Sequence, residues 1–232
     1  MATRKKAGLR SVKAWNLRLV LETVRRTPGI SRYDVAKRTR LDPATVGKLT
    51  SELLNRGFAR EQGKGTSSGG RRPVQLTIAD SPHRFLTVKL LRTGLEFDLL
   101  DFSFHSVARR RVPCSKPWKP RSLEKRLLDN LDLAEGASVL GAAVGIAGVA
   151  DTERGRVLRC PCLSGTDFPA GSILSKALSA PTVVENLTRA QAWREGHEAD
   201  KAGDLILLHA GAGIGAAIVH AGRLLRGAGS GS

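Results

Sequence analysis

Apolar side chains near the start of the chain recur as Leu17, Val20, Leu21 and Val24. That spacing belongs to one face of a helix and predicts one over about Ala14–Thr27, stopped by Pro28-Gly29. Ser31 followed by Asp34 resembles a capping box, with Asp in the place of Glu or Gln. A short helix is expected from there to about Arg38, with Val35 and Ala36 facing inward. A tight turn then leads to Asp42-Pro43, a good N-cap followed by the residue favoured at the first helical position. The third helix, 43–56, carries the apolar stripe Val46, Leu49, Leu53 and Leu54, and Gly57 ends it. Two strands follow, Phe58–Gln62 and Val74–Ile78, around the glycine-rich stretch 63–73.

Beyond Ser81-Pro82-His83, which reads as a linker, the pattern changes. Arg84–Leu91, Gly94–Phe102 and His105–Val112 read as strands, and Ser122–Leu133 has helical spacing. Ser138–Ile146 is a near-continuous apolar run of the buried-strand kind. Gly148–Gly155 is a turn region. Ser172–Leu178 and Leu187–Ala199 are expected helices flanking a strand at Thr182–Val184. Strands at Asp204–His209 and Ile214–His220 meet at Gly211-Ala212-Gly213. Strands alternating with helices indicate an α/β sheet.

Charge sharpens this division. The chain of 232 residues has a net charge of +17. Residues 1–80 hold 18 Lys/Arg against 6 Asp/Glu, and residues 81–232 hold 20 against 15. A basic first segment on a milder body is the footprint of a polyanion binder. Two short helices joined tightly, the second sharply capped, read as a helix-turn-helix, and the hairpin behind them as its wing. The 43–56 helix turns small or basic residues outward, suited to the major groove of double-stranded DNA. Thr45 and Lys48 are its candidate base or phosphate contacts. Ser31 and Arg32 stand where a helix N-terminus can hold phosphate. Lys64, Arg71 and Arg72 sit on the wing, 63–73, where arginine can enter the minor groove.

Other chemistry is sparse. Cys114, Cys160 and Cys162 are too few and odd in number for a disulfide framework, and the lone C-x-C pair argues against zinc. No metal or cofactor is expected. The basic start lacks the apolar run of a signal peptide, and no stretch approaches the roughly 20 apolar residues of a membrane helix. A cytoplasmic location without membrane contact is expected.

The chain resembles the ROK (repressor, open reading frame, kinase) family. The matching residues are Asn16-Leu17, Ile30-Ser31-Arg32, Val35-Ala36, Leu41–Val46, Glu52-Leu53-Leu54, Arg56-Gly57 and, most distinctively, Ser67-Ser68-Gly69-Gly70-Arg71-Arg72-Pro73. Val144–Asp151, Val184-Glu185-Asn186 and Gly211–Val219 extend the likeness into the body. The resemblance implies an α/β chain: an N-terminal winged helix-turn-helix followed by a partial actin/ribonuclease H-like sugar-kinase lobe. It implies a basic tail at 1–13, a DNA-binding domain at 14–80 and an incomplete kinase-like domain at 84–232. The expected protein is a homodimeric DNA-binding regulator, a repressor of carbohydrate-related genes.

The resemblance also marks departures. Where the family's kinases carry an Asp-x-Gly phosphate turn, this chain has Lys89 and Leu91. Where they carry the catalytic Asp of a Glu-Asn-Asp run, it has Leu187, and leucine cannot take a proton. A sugar kinase is therefore the weaker alternative, and no enzymatic activity is expected. Regulators of the family bind a sugar or sugar phosphate through Asn-Leu and Asn-Asp pairs, and Cys162-Leu163 and Asn186-Leu187 stand there. Asn186 is either a remnant effector contact or the N-cap of the next helix. A third reading is a regulator that needs no effector and uses its body only for assembly. Gly211–Gly215 is either a phosphate loop or a tight hairpin. The sequence ends at Ser232, before the Gly-Glu-x-Gly-His segment and cysteine-rich zinc site that the resemblance implies. A broken gene product, a naturally short regulator and a cut fragment all fit, and the 204–220 strand pair is expected to expose an apolar edge.

Overall fold

The computed structural model describes residues 9–64, 73–198, 204–211 and 213–226. The chain divides into two compact units, Met1–Ser81 and Pro82–Ser232.

The first unit runs α1 (Leu9–Arg26), β1 (Ile30–Ser31), α2 (Arg32–Thr39), α3 (Pro43–Asn55), β2 (Ala59–Lys64) and β3 (Val74–Ile78). α1 begins earlier than the apolar spacing predicts, because Leu9–Lys13 contains nothing that breaks a helix. α2 and α3 have the expected caps. The Ser31 hydroxyl accepts from the Asp34 N–H at 3.1 Å and donates to the Asp34 carboxylate at 2.6 Å. The Asp42 carboxylate accepts from the Thr45 N–H at 2.8 Å, with Pro43 in the first turn. α3 ends in a paired closure: Phe58 N–H donates to Leu53 O and Gly57 N–H to Leu54 O. Gly57 sits at φ 69°, the left-handed conformation this closure requires. Val20, Val24, Val35, Val46, Leu53 and Leu76 fill the core.

The short strand β1 has no counterpart in the sequence pattern, since two residues show no periodicity. It pairs antiparallel with β3 (Ile30 opposite Leu76, Ser31 opposite Gln75), giving a three-stranded sheet in the order β1-β3-β2.

The second unit holds a five-stranded sheet. Its strands are β4 (His83–Leu91), β5 (Gly94–Leu100), β6 (Ser106–Pro113), β7 (Ser138–Ile146) and β10 (Thr182–Asn186), in the order β10-β7-β4-β5-β6. β10, β7 and β4 are parallel, while β4, β5 and β6 form an antiparallel meander. The helix expected over Ser122–Leu133 is split. α4 (Pro120–Asp129) closes at Asn130, whose side chain donates to Arg126 O, and a 3-10 turn follows at Leu131–Ala134. The expected turn region 148–155 contributes a strand, β8 (Val149–Asp151), paired with β9 (Arg156–Arg159). α5 (Ala170–Leu178) precedes β10. Leu86, Val88, Leu90, Phe97, Leu123, Ile146 and Leu174 are the buried centre.

α6 (Leu187–Glu198) packs on a second sheet of β11 (Leu205–Ala210), β12 (Ile214–His220) and β13 (Arg223–Leu224), through Ala192, Ala217 and Val219. β11 and β12 are antiparallel, with Ala210 opposite Ile214, and the Gly211 N–H donates to Gly213 O at 3.0 Å where the two strands meet. The other face of this sheet leaves Ile206, Leu208 and Ile214 largely exposed.

Candidate nucleic-acid interface

α3 is held by its buried stripe, Val46, Leu49, Thr50 and Leu53, which leaves the opposite face outward. On that face Ala44, Gly47, Lys48, Ser51, Glu52, Asn55 and Arg56 line one shallow depression. Small residues at Ala44, Gly47 and Ser51 keep the helix slim there. Lys48 is exposed and has no ion-pair partner among the described residues. Thr45 is half-buried beside the cap. Its hydroxyl first, and its N–H second, hold the Asp42 carboxyl below the usual carboxylate range.

The remaining sequence candidates are placed differently. Ser31 is buried, and its hydroxyl is engaged by the Asp34 pair. Arg32 reaches across the unit: Nε donates to Thr50 Oγ1 of α3 at 3.2 Å, and Nη2 meets Glu61 Oε1 of β2 at 2.8 Å. It therefore braces the hairpin against α3. Lys64 ends β2. Arg71 and Arg72, and the wing tip with them, lie outside the described residues.

Sequence reasoning gave Lys13, Glu52 and Arg56 no role at the interface. Glu52 binds Lys13 Nζ of α1 at 2.7 Å and Arg56 Nη2 at 2.6 Å. Lys13 above all, then Arg56, holds its carboxyl below the usual range against a modest burial effect. Only the spacing of Glu52 and Arg56 was visible, since an i, i+4 pair reads as any solvated helix face.

In the second unit three parallel strands end side by side, with Leu90 opposite Ile146 and Ile146 opposite Asn186. Ligands of open α/β sheets bind outside such ends. Here Leu187 lies over Gly145 so closely that a Cβ at Gly145 would fall 2.5 Å from Leu187 Cδ2 and 3.9 Å from Lys89 Cγ. Lys89 faces Glu96 at 3.8 Å. Glu185 is held by Arg189 at 2.9 Å and Arg226 at 2.6 Å. Asn186 donates to Gly148 O at 2.7 Å and accepts from the Arg189 N–H at 3.1 Å, which makes it the N-cap of α6. Cys162 is fully buried, with its sulfur 3.5 Å from that of Cys160. Sharing a hydrogen between them lowers the Cys160 thiol, and the same contact together with burial raises Cys162.

The family model described as the ROK family matches residues 86–232. The chain belongs to the ROK family. Among ROK relatives, the xylose repressor of Caldicellulosiruptor bescii is 33% identical over 227 residues, 94% of this chain and 56% of its own length. The DNA-binding transcriptional dual regulator NagC of Escherichia coli K12 is 25% identical over 224 residues, 93% of this chain and 55% of its own. The chain thus spans little more than half the length of these relatives. A ROK family transcriptional regulator described as a homolog of the E. coli MLC protein superposes with a TM-score of 0.75 at 26% identity, over 95% of this chain and 58% of that one. The ROK hexokinase from Thermus thermophilus superposes with a TM-score of 0.51 at 28% identity, over 63% of this chain and 50% of that one. The mixed α/β body is therefore the kinase-like lobe of the ROK fold, found in regulators and sugar kinases alike. No described helix is long and apolar enough to cross a membrane.

Proposed function

We propose that this chain is a sequence-specific DNA-binding regulator, a repressor of carbohydrate-related genes. Residues 14–80 act as a winged helix-turn-helix, with α3 in the major groove and the stretch 63–73 at the minor groove. The observation that carries this reading is the outward face of α3, slim at Ala44, Gly47 and Ser51 and bearing Lys48. The uneven charge supports it, as do the names of its relatives, one a xylose repressor and one a DNA-binding transcriptional dual regulator. Binding as a dimer to a two-fold symmetric site follows the usual logic of helix-turn-helix proteins. A sugar kinase is disfavoured because Leu187 and Lys89 occupy the positions expected to supply a base and a phosphate-turn acid.

Fluorescence anisotropy with DNA from the chain's own promoter region tests the proposal. The expected result is tighter binding than to random DNA of equal length, weakened steeply by salt, with a log–log slope of about −0.9 for each phosphate neutralised. Equal affinity for both DNAs would sink the sequence-specific claim.

A further inference from the structure

Resting on that DNA-binding reading, we infer that Glu52 is a specificity-determining residue which withholds Lys13 and Arg56 from the DNA backbone. The two ion pairs, at 2.7 and 2.6 Å, meet on one carboxylate at the rim of the α3 depression. Lys13 and Arg56 remain more than half exposed, so they lie within reach of a polyanion, and among the described residues Glu52 is the acidic group that pairs with them. Glu52 itself is largely covered, its side chain only 20% exposed. Backbone attraction is independent of sequence and supplies essentially all non-specific affinity. A carboxylate that neutralises two cations and repels phosphate beside the recognition face lowers that background. Affinity at the face then depends more on Lys48 and the small residues that let bases approach. This is discrimination by weakening the wrong complex.

The test compares wild type and Glu52→Gln on promoter-derived DNA and on random DNA of equal length, across a potassium chloride series. Glu52→Gln keeps the size of the side chain and releases both cations. Binding to random DNA should tighten roughly three- to tenfold, and its salt slope should steepen by about 0.9–1.8, one or two added phosphate contacts. The ratio of specific to random affinity should fall by a similar factor. Lys13→Gln and Arg56→Gln complete the cycle. Each should leave the random-DNA slope unchanged beside an intact Glu52, and each should remove part of the steepening in the Glu52→Gln background. An unchanged slope in Glu52→Gln with a lower melting temperature makes Glu52 a structural tie between α1 and α3 and overturns the inference. Loss of binding to promoter DNA alone makes it a base reader and overturns it too. Should Glu52→Gln fail to fold, a flatter slope for Lys13→Gln or Arg56→Gln in the wild-type background overturns it as well. The wild-type comparison of the two DNAs judges the regulator reading separately, because the slope difference is measured on random DNA.

Discussion

Glu22, near the end of α1, shows how a single side chain ties stability to pH. Arg25 grips it with two nitrogens, at 2.6 and 2.9 Å, and Arg26 adds a third contact at 2.7 Å. The Arg25 hydrogen bonds above all, then those of Arg26, outweigh partial burial and bring its pKa from 4.5 to about 2. A carboxyl whose folded pKa is depressed contributes stability above its unfolded pKa and loses it as pH falls toward the folded value. Wild type should therefore melt at higher temperature than Glu22→Gln at neutral pH, and the gap should close between pH 4.5 and about 2. Solvent screens this partly exposed group, so the gap is small. A gap that widens on acidification would contradict the assignment. Residues of this kind are hard to read in a sequence. Ser31 and Asp42 announced themselves as caps because capping chemistry is local. The partners of Arg32, 18 and 29 residues away, come from other elements and leave no local trace.

At the scale of the element, α3 carries a compromise at Gly47. Glycine in a helix interior costs about 1 kcal/mol relative to alanine. A Cβ at Gly47 would meet nothing within 4 Å, so nothing in the folded chain excludes alanine. Gly47→Ala should raise the melting temperature by a few degrees and, under the proposed function, should also weaken DNA binding by placing a methyl on the outward face of α3. Paired thermal melts and anisotropy titrations read both; a more stable protein with unaltered affinity would remove Gly47 from the interface. The three helices, the ends of β3 and the apolar strand β7 were legible in the sequence because each has a long periodic or continuous apolar signal. β1, β9 and β13 were not, because strands of two to four residues exist only through their partners. Asn130 divides the expected Ser122–Leu133 helix through a side-chain bond to Arg126 O that apolar spacing does not register. In the body, Leu187 and Lys89 were identifiable as departures from a kinase, whereas the packing of Leu187 on Gly145 needed the fold to bring β7 and α6 together.

At the scale of the whole molecule, the hairpin of β11 and β12 presents several exposed apolar side chains on one face. Ile214 is 92% exposed, Leu208 74% and Ile206 67%. Apolar faces of this kind drive association when they stay uncovered. This chain, purified alone, should form larger species with rising concentration in sedimentation velocity. Leu208→Thr with Ile214→Lys should suppress them without changing DNA affinity. Persistence of the larger species in the double variant would place the self-associating surface elsewhere.

The Arg32 brace and the pairing of β1 with β3 make a chelating device of the first unit. The hairpin strands and α3 are fastened to each other within the folded chain itself. Under the proposed function, a groove-bound α3 presents the base of the wing at high effective concentration to the neighbouring groove. The second contact is then close to a unimolecular event, and much of its ordering entropy has already been met by folding. Cutting the brace, as in Arg32→Ala, uncouples two ligating arms and should speed dissociation more than it slows association.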